Sequence, residues 1–181
     1  MPGRKECPML ITKDALPVNP GDTVYILDEG KIREKKVMKV GITDEYHLFV
    51  KTGGYEYFFG VDSVFFTRTD ALRYMDDPGS IPEDYGYFDY RTADIPYKPG
   101  SVFYYCEKAG MGYRDNEWLI FRDVYTYITF SRSGAISVGN DEGESTVGGG
   151  DYPCFETLKE AQHYIRERGG RVAEIIERVP V

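Results

Sequence analysis

The sequence predicts a mostly β protein of the α+β class, organised as two small antiparallel barrels in tandem, each closed by a short helix. Two similar segments, residues 65–75 and 155–165, lie 90 residues apart and indicate an internal duplication. Short β-branched and aromatic runs alternate with Gly- and Pro-containing turns, as in small antiparallel barrels. The chain has 16 tyrosines and 10 phenylalanines, and because aromatic residues favour strands, strands should outnumber helices.

Each duplicated segment predicts one helix. Thr67 and Thr157 stand where the helix would begin, and an acidic residue follows three positions later, as in a capping box. At 100° per residue, the apolar residues that follow share one side of the helix. His163 lies on the opposite side, so a catalytic pair of Cys154 with His163 is not expected.

The strands before each helix repeat with a different offset. Residues 20–25, Pro-Gly-Asp-Thr-Val-Tyr, recur as Pro-Gly-Ser-Val-Phe-Tyr at residues 99–104, which is 79 residues later. Since the helices are 90 residues apart, the second copy should contain eleven additional residues. We expect them in a Gly-rich acidic loop at residues 140–151, with residues 109–116 as an alternative location for part of them.

Turn signals and composition divide the chain into four parts. We expect an N-terminal arm (1–18), a first barrel with its helix (19–77), an acidic and aromatic linker (78–98), and a second barrel with its helix and a C-terminal strand (99–181). A second short helix at residues 171–181 is the alternative to the final strand.

The net charge of −8 is confined to two segments. Residues 76–98 carry six acidic and two basic side chains, and residues 140–151 carry four acidic side chains and no basic one. Each segment therefore contributes −4, and the rest of the chain is neutral. Such segments are typical either of solvated loops or of a surface for a basic partner.

No catalytic residue, cofactor or metal site is predicted, and an enzyme is the least favoured class. The three cysteines, at positions 7, 106 and 154, include no Cys-x-x-Cys pair, and the chain has only two histidines. The glycines at 110–112 and 148–150 lack the flanking residues of dinucleotide or phosphate loops. No apolar run approaches the roughly 18 residues of a membrane helix, so we expect a cytoplasmic protein without membrane contact.

Two functions that need no catalytic group remain. In the first, the acidic segments bind a basic protein, with aromatic side chains as anchors. The expected partner-binding residues are Asp84, Tyr85, Tyr87, Phe88, Asp89, Tyr90, Asp141, Glu142 and Glu144. In the alternative, the basic strand at residues 31–39 makes the protein a nucleic-acid-binding accessory factor. The negative net charge disfavours this alternative, and lysines that protect an exposed edge explain the same strand.

The motifs at residues 20–25 and 64–72 resemble those of small prophage and mobile-element proteins of Gram-positive gut bacteria. Those proteins look like Src-homology-3-type barrels that end in a Phe-x-Thr-x-x-Glu-Ala helix. The first copy matches over residues 20–75, with Asp70 in place of the Glu. The second copy keeps four motif residues, Phe155, Thr157, Glu160 and Ala161. The motif is structural, so the resemblance implies a fold and no active site.

Mobile-element genes of this size and acidity include anti-CRISPR and other anti-defence inhibitors, and the resemblance therefore implies an inhibitor. Our leading hypothesis is a non-enzymatic protein, encoded by a phage or mobile element, that acts in the bacterial cytoplasm. It would block a host nucleic-acid enzyme with a basic surface, such as a CRISPR effector nuclease with its guide RNA. Its acidic segments would compete there with phosphate.

Overall fold

The structure is a computed structural model and describes residues 16–92, 95, 97–150 and 152–179. Most of the expected N-terminal arm, with Cys7, lies outside the described residues, as do Asp94 and Asp151. In the part of the chain that is described, strands outnumber α-helices by thirteen to two. This confirms an α+β protein that is mostly β.

The chain forms two compact units. Unit 1 ends at Lys98 and also includes Ser131–Gly134, and unit 2 consists of Pro99–Phe130 and the chain from Ala135 onward. No helix in the described ranges is long and apolar enough to cross a membrane.

The described part of unit 1 contains six strands and one α-helix, followed by a 3-10 helix at Pro78–Ser80. These elements are β1 (Thr23–Asp28), β2 (Lys31–Lys36), β3 (Lys39–Thr43), β4 (Leu48–Thr52), β5 (Tyr55–Phe58), β6 (Val64–Phe65) and α1 (Arg68–Asp76). The strands pair antiparallel as β2-β1-β6 and as β3-β4-β5. The helix α1 begins at Thr67, whose hydroxyl accepts a hydrogen bond from the Asp70 amide (3.1 Å).

The described part of unit 2 contains seven strands and one α-helix, α2 (Leu158–Glu167). The strands are β7 (Val102–Lys108), β8 (Glu117–Val124), β9 (Tyr127–Ser131), β10 (Ile136–Asn140), β11 (Gly143–Val147), β12 (Pro153–Phe155) and β13 (Arg171–Glu177). They pair in the order β13-β8-β7-β12-β11-β10-β9, with parallel pairing at β13-β8 and at β11-β12. Thr157 and Glu160 form a capping box at the start of α2, as the sequence predicts.

The two units share one order of elements and one pattern of pairing. In unit 1, β1 pairs with β2 and β6, and in unit 2 the equivalent strand β7 pairs with β8 and β12. Likewise, β4 pairs with β3 and β5, and its equivalent β10 pairs with β9 and β11. Tyr25 lies opposite Phe65, and Tyr104 lies opposite Phe155. These residues are related by the offsets of 79 and 90 residues, so the sequence repeat corresponds to a structural repeat.

The additional length of unit 2 lies mainly between β7 and β8. The prediction that an inserted loop at residues 140–151 holds it is therefore wrong. Residues 109–116 connect β7 to β8, whereas two residues connect β1 to β2. The turn of Asp141 and Glu142 is as short as the Gly53–Gly54 turn of unit 1, and β11 follows it. Main-chain pairing with β10 holds β11 as a strand despite its polar sequence.

Both units are open sheets in the described residues, and the expected closed barrels are not found. In unit 1, the chain passes from one sheet to the other at Val37 and Met38. The Val37 amide donates to the carbonyl of Asp22 (2.9 Å), whereas the Met38 amide donates to the carbonyl of Lys51 (2.9 Å). In unit 2, β13 pairs along the outer edge of β8, so residues 171–177 form the predicted strand and not the alternative short helix.

The helix α2 packs against one face of β7 and β8. Cys106 and Ile120 from the strands join Ala161 and Ile165 from the helix in one buried cluster. Cys154 is buried in the neighbouring strand β12. Burial raises the pKa of both thiols to about 12, so they are protonated at neutral pH.

Cys106 and Cys154 should resist alkylation in the folded protein. A protonated, buried thiol is a poor nucleophile, so iodoacetamide near neutral pH should modify both residues roughly tenfold or more slowly in native buffer than in guanidinium chloride. Peptide mass spectrometry reads the two sites separately. Rapid modification of either site in native protein would contradict the packing of β7 or β12.

Candidate partner-binding site

The linker at residues 78–98 packs onto unit 1. The Leu48 amide, at the start of β4, donates a hydrogen bond to the Gly86 carbonyl (2.8 Å). Gly86 has a φ of +87°, and a Cβ at this position would lie 2.2 Å from the Cβ of Phe59. Only glycine allows the main chain to approach so closely with this φ.

Tyr85, a predicted partner-binding residue, is held in unit 1. Its ring lies 4.9 Å from the ring of Phe66 and 6.3 Å from that of Phe59, measured between centroids. Its hydroxyl accepts a hydrogen bond from the Phe66 amide (2.8 Å) and donates one to the Asp70 carboxylate (3.1 Å). Burial raises the pKa of Tyr85, so the hydroxyl remains a donor at neutral pH. The side chain thereby joins the linker to the first turn of α1.

Tyr46 contacts the remaining aromatic residues of the linker. Its carbonyl accepts a hydrogen bond from the Phe88 amide (2.7 Å), and its ring lies 4.9 Å from that of Tyr90 and 5.4 Å from that of Tyr87. The Arg91 guanidinium lies 4.8 Å from the same ring. Tyr46 has a φ of +68°, which is uncommon for an aromatic residue. Tyr90 is 6% exposed, whereas Tyr87 is 48% exposed.

The charge of Asp89 is balanced within the chain. Its carboxylate accepts two hydrogen bonds from the Arg91 guanidinium, both of 2.8 Å, and these lower the pKa of Asp89. Phe88 is half-buried. Of the six partner-binding residues predicted in the linker, Asp84 and Tyr87 are therefore the exposed ones.

Tyr85→Phe should lower the free energy of unfolding by about 1–2 kcal/mol, because it leaves the Phe66 amide without its acceptor in a partly buried place. Tyr87→Phe is the matched control and should change this free energy by less than about 0.5 kcal/mol. Urea unfolding followed by circular dichroism measures both. Equal losses in the two variants would mean that the Tyr85 hydroxyl does not join the linker to α1.

A cleft of about 290 Å³ lies in unit 2, on the face of the sheet opposite α2. Successive residues of a strand point to opposite faces, so Cys106 faces α2, whereas Tyr105 and Glu107 face the cleft. The strands β8 and β11, the turn after β10 and the residue after β13 complete it. The other lining residues are Phe103, Asp123, Asn140, Glu142, Gly143, Glu144, Ser145, Tyr152 and Arg178.

Two aromatic rings from β7 line the cleft, and one of them stacks on a buried ring from β8. Tyr105 and Phe121 lie opposite each other in the β7-β8 pairing, with ring centroids 4.7 Å apart and planes inclined by 8°. The ring of Phe103 lies 5.9 Å from that of Tyr105 and extends this surface along β7. Burial raises the pKa of Tyr105 to about 12, so its hydroxyl is neutral at physiological pH. The faces of such rings attract cations.

Four carboxylates line the cleft together with Phe103 and Tyr105. Glu142 and Glu144, both predicted, come from the hairpin of β10 and β11, whereas Glu107 and Asp123 come from β7 and β8 and were not predicted. Asp123 is 8% exposed and accepts a hydrogen bond from the following amide (2.8 Å). Arg178 is the one basic residue in the described lining, whose net charge is therefore −3.

Arg178 places a cation from the chain itself in the cleft. Its amide donates to the Arg122 carbonyl (2.9 Å), which continues the pairing of β13 with β8. Its guanidinium forms an ion pair with Glu142 and lies 4.4 Å from the ring centroid of Phe121 and 5.6 Å from that of Tyr105. The cleft thus binds a guanidinium through a carboxylate and an aromatic face together.

Part of this site could be found from the sequence. Phe103, Tyr105 and Glu107 occupy alternate positions of a strand, a signal that predicts one shared face. The contribution of Arg178 depends on how β13 pairs, which no local pattern indicates. Asp141, which was predicted as a binding residue, is exposed in the turn and does not line the cleft.

The basic segment predicted at residues 31–39 covers β2 and the start of β3. Arg33 forms an ion pair with Asp28 (2.9 Å), whereas Lys31 and Lys35 are exposed on β2. Among the described strands β2 pairs with β1 alone, so these lysines lie at a sheet edge.

Comparisons with known proteins found no relative. No protein-family model matches the chain, and neither a curated protein nor a solved structure shows significant similarity to it. Within the described ranges, no group of three or more His, Cys, Asp or Glu residues is arranged to hold a metal ion. Function is therefore inferred from the geometry and charge of the cleft.

Proposed function

We propose that the protein is a non-enzymatic inhibitor that binds a basic segment of its target in the cleft of unit 2. The observation that carries this proposal is the guanidinium of Arg178, which is held between Glu142 and the ring of Phe121. Tyr105 and Glu107, which line the cleft, offer the same kind of contact to an arginine side chain of another protein. With the charge of Arg178 counted, the described lining still has a net charge of −3, which attracts further cations.

Arginine is the cation that best fits this chemistry. A guanidinium stacks on aromatic faces and makes paired hydrogen bonds to a carboxylate, whereas a lysine ammonium does so less well. The negative field can also raise the rate of association with a basic partner by about 10- to 1,000-fold at low salt. A protein cleft that holds nucleic acid is rich in such basic side chains.

The proposed target is a host nucleic-acid enzyme, such as a CRISPR effector nuclease with its guide RNA, in the cytoplasm of a bacterium. The acidic cleft supports this choice, as does the resemblance of residues 20–25 and 64–72 to mobile-element proteins. On the same resemblance we propose that each unit is an opened form of a Src-homology-3-type barrel. The shared order of six strands and a helix supports that assignment.

The protein should inhibit DNA cleavage by a CRISPR effector and its guide RNA at micromolar concentration. Glu107→Gln/Glu144→Gln should raise the half-inhibitory concentration roughly tenfold or more, because each hydrogen bond to a charged group is worth about 1.5–3 kcal/mol. Cleavage assays on a panel of effectors, with increasing amounts of protein, measure both effects.

The matched control is Glu156→Gln/Glu167→Gln, which removes the same charge from exposed positions of unit 2 outside the cleft. It should shift the half-inhibitory concentration by less than about twofold, because exposed charges are screened by salt. Equal losses in the two double variants would assign inhibition to net charge rather than to the cleft. Absence of inhibition against every effector tested would remove the proposal.

Arg178→Ala should strengthen binding of a basic partner, because it removes a cation that competes for the cleft. Two like charges 4 Å apart in water repel by about 1 kcal/mol, which corresponds to about fivefold in Kd. Calorimetric titration with an oligo-arginine peptide measures the change, and Arg166→Ala on the exposed side of α2 is the control. Weaker binding by Arg178→Ala would mean that Arg178 itself contacts the partner.

A further inference from the structure

A second cavity, of about 580 Å³, lies in unit 1 beside the turn that joins β4 to β5. Its lining combines three basic side chains, those of Lys39, Lys51 and Arg132, with the exposed apolar surfaces of Met38 and Tyr55. This chemistry is opposite in sign to that of the unit 2 cleft. The proposed inhibitor function therefore does not account for it.

Strand pairing brings the basic residues together. Lys39 and Lys51 lie directly opposite each other in the β3-β4 pairing, a position in which like charges repel. Glu56 forms an ion pair with Lys51 (3.2 Å) and is the one acidic residue in the described lining. Arg132 adds a third basic side chain, so the lining has a net charge of +2.

Tyr55 and Met38 provide a surface for a flat apolar group. Tyr55 is 69% exposed and Met38 is 58% exposed, which is unusually open for two large side chains in one cavity. The Gly53 amide donates a hydrogen bond to the Met38 sulfur (3.2 Å), which holds that side chain against the turn. Exposed aromatic side chains beside basic ones are the stacking platforms on which proteins bind the bases of single strands.

We propose that this cavity binds a nucleotide unit, with the phosphate at Lys39 and Arg132 and the base stacked on Tyr55. A free nucleotide and one residue of a single-stranded nucleic acid share this chemistry. The volume is within the range of about 300–1,000 Å³ that is typical of small-molecule sites. At physiological salt, charges more than about 8 Å away are screened, so the negative net charge of the chain does not cancel a local basic cluster.

The direct test is fluorescence anisotropy of a short labelled oligothymidylate with the full chain and no target enzyme. We expect a Kd of about 10⁻⁴–10⁻⁶ M. Because three basic residues line the cavity, a plot of the logarithm of the association constant against the logarithm of the salt concentration should have a slope of about −2. Lys39→Gln/Arg132→Gln should weaken binding roughly tenfold or more. Tyr55→Ala should weaken it about fivefold or more through lost stacking.

Two control variants separate the cavity from the rest of unit 1. Lys31→Gln/Lys35→Gln removes the same charge from β2, and Tyr87→Ala removes an exposed ring outside the cavity. Each should change the Kd by less than about twofold, because the exposed charge or ring that it removes does not line the cavity. Thermal unfolding of each variant confirms that it remains folded.

Competition identifies the form of the ligand. The competitors, thymidine monophosphate and the unlabelled strand, are compared at equal total concentrations of nucleotide units. Displacement of the labelled strand by thymidine monophosphate would assign the site to free nucleotides. Displacement by the unlabelled strand alone would assign it to single-stranded nucleic acid, and both results support the proposal. Absence of binding at millimolar protein would overturn the proposal. So would a loss of affinity in Lys31→Gln/Lys35→Gln as large as that in Lys39→Gln/Arg132→Gln. A third contrary result is displacement of the labelled strand by inorganic phosphate as effective as that by the unlabelled strand. Because no target enzyme is present, these outcomes are independent of the proposed inhibition.

Discussion

The antiparallel pairing of β7 with β8 determines both the interior and the binding surface of unit 2. The register that places Cys106 beside Ile120 under α2 also places Tyr105 against Phe121 on the opposite face. A shift by one residue would exchange the two faces and bring Glu107 under the helix. The packing of α2 and the shape of the cleft therefore depend on the same hydrogen-bonded ladder.

The same pairing in unit 1 carries different chemistry. Ile32 and Arg33 of β2 occupy the positions that Ile120 and Phe121 occupy in β8. In unit 2 the edge of β8 is covered by β13, so apolar residues are suitable there. The described strands leave the edge of β2 uncovered, and charged side chains keep such an edge from pairing with other chains. One duplicated scaffold thus supports an acidic cleft in one copy and a basic cavity in the other.

Sequence patterns predicted the features that depend on neighbours along the chain, including the helix starts at Thr67 and Thr157 and the two offsets of the repeat. They failed where tertiary partners decide the outcome. Glycine and acidic residues at 140–151 indicated a loop, but main-chain pairing with β10 forms a strand there. Tyr85 was predicted as a partner-binding residue, but its ring packs on Phe66 and its hydroxyl bonds to Asp70 in the first turn of α1. Glu107 belongs to a segment of neutral net charge, and only the fold brings it together with other carboxylates.

The attachment of residues 85–90 to unit 1 sets the point at which the chain can be divided. A fragment that stopped after the 3-10 helix at Pro78–Ser80 would retain the six described strands of unit 1 and α1, yet it would uncover the Phe66 amide and the ring of Phe59. A fragment that keeps these contacts of unit 1 therefore has to extend at least through Tyr90. The segment predicted as a linker is in this respect the closing segment of the first unit.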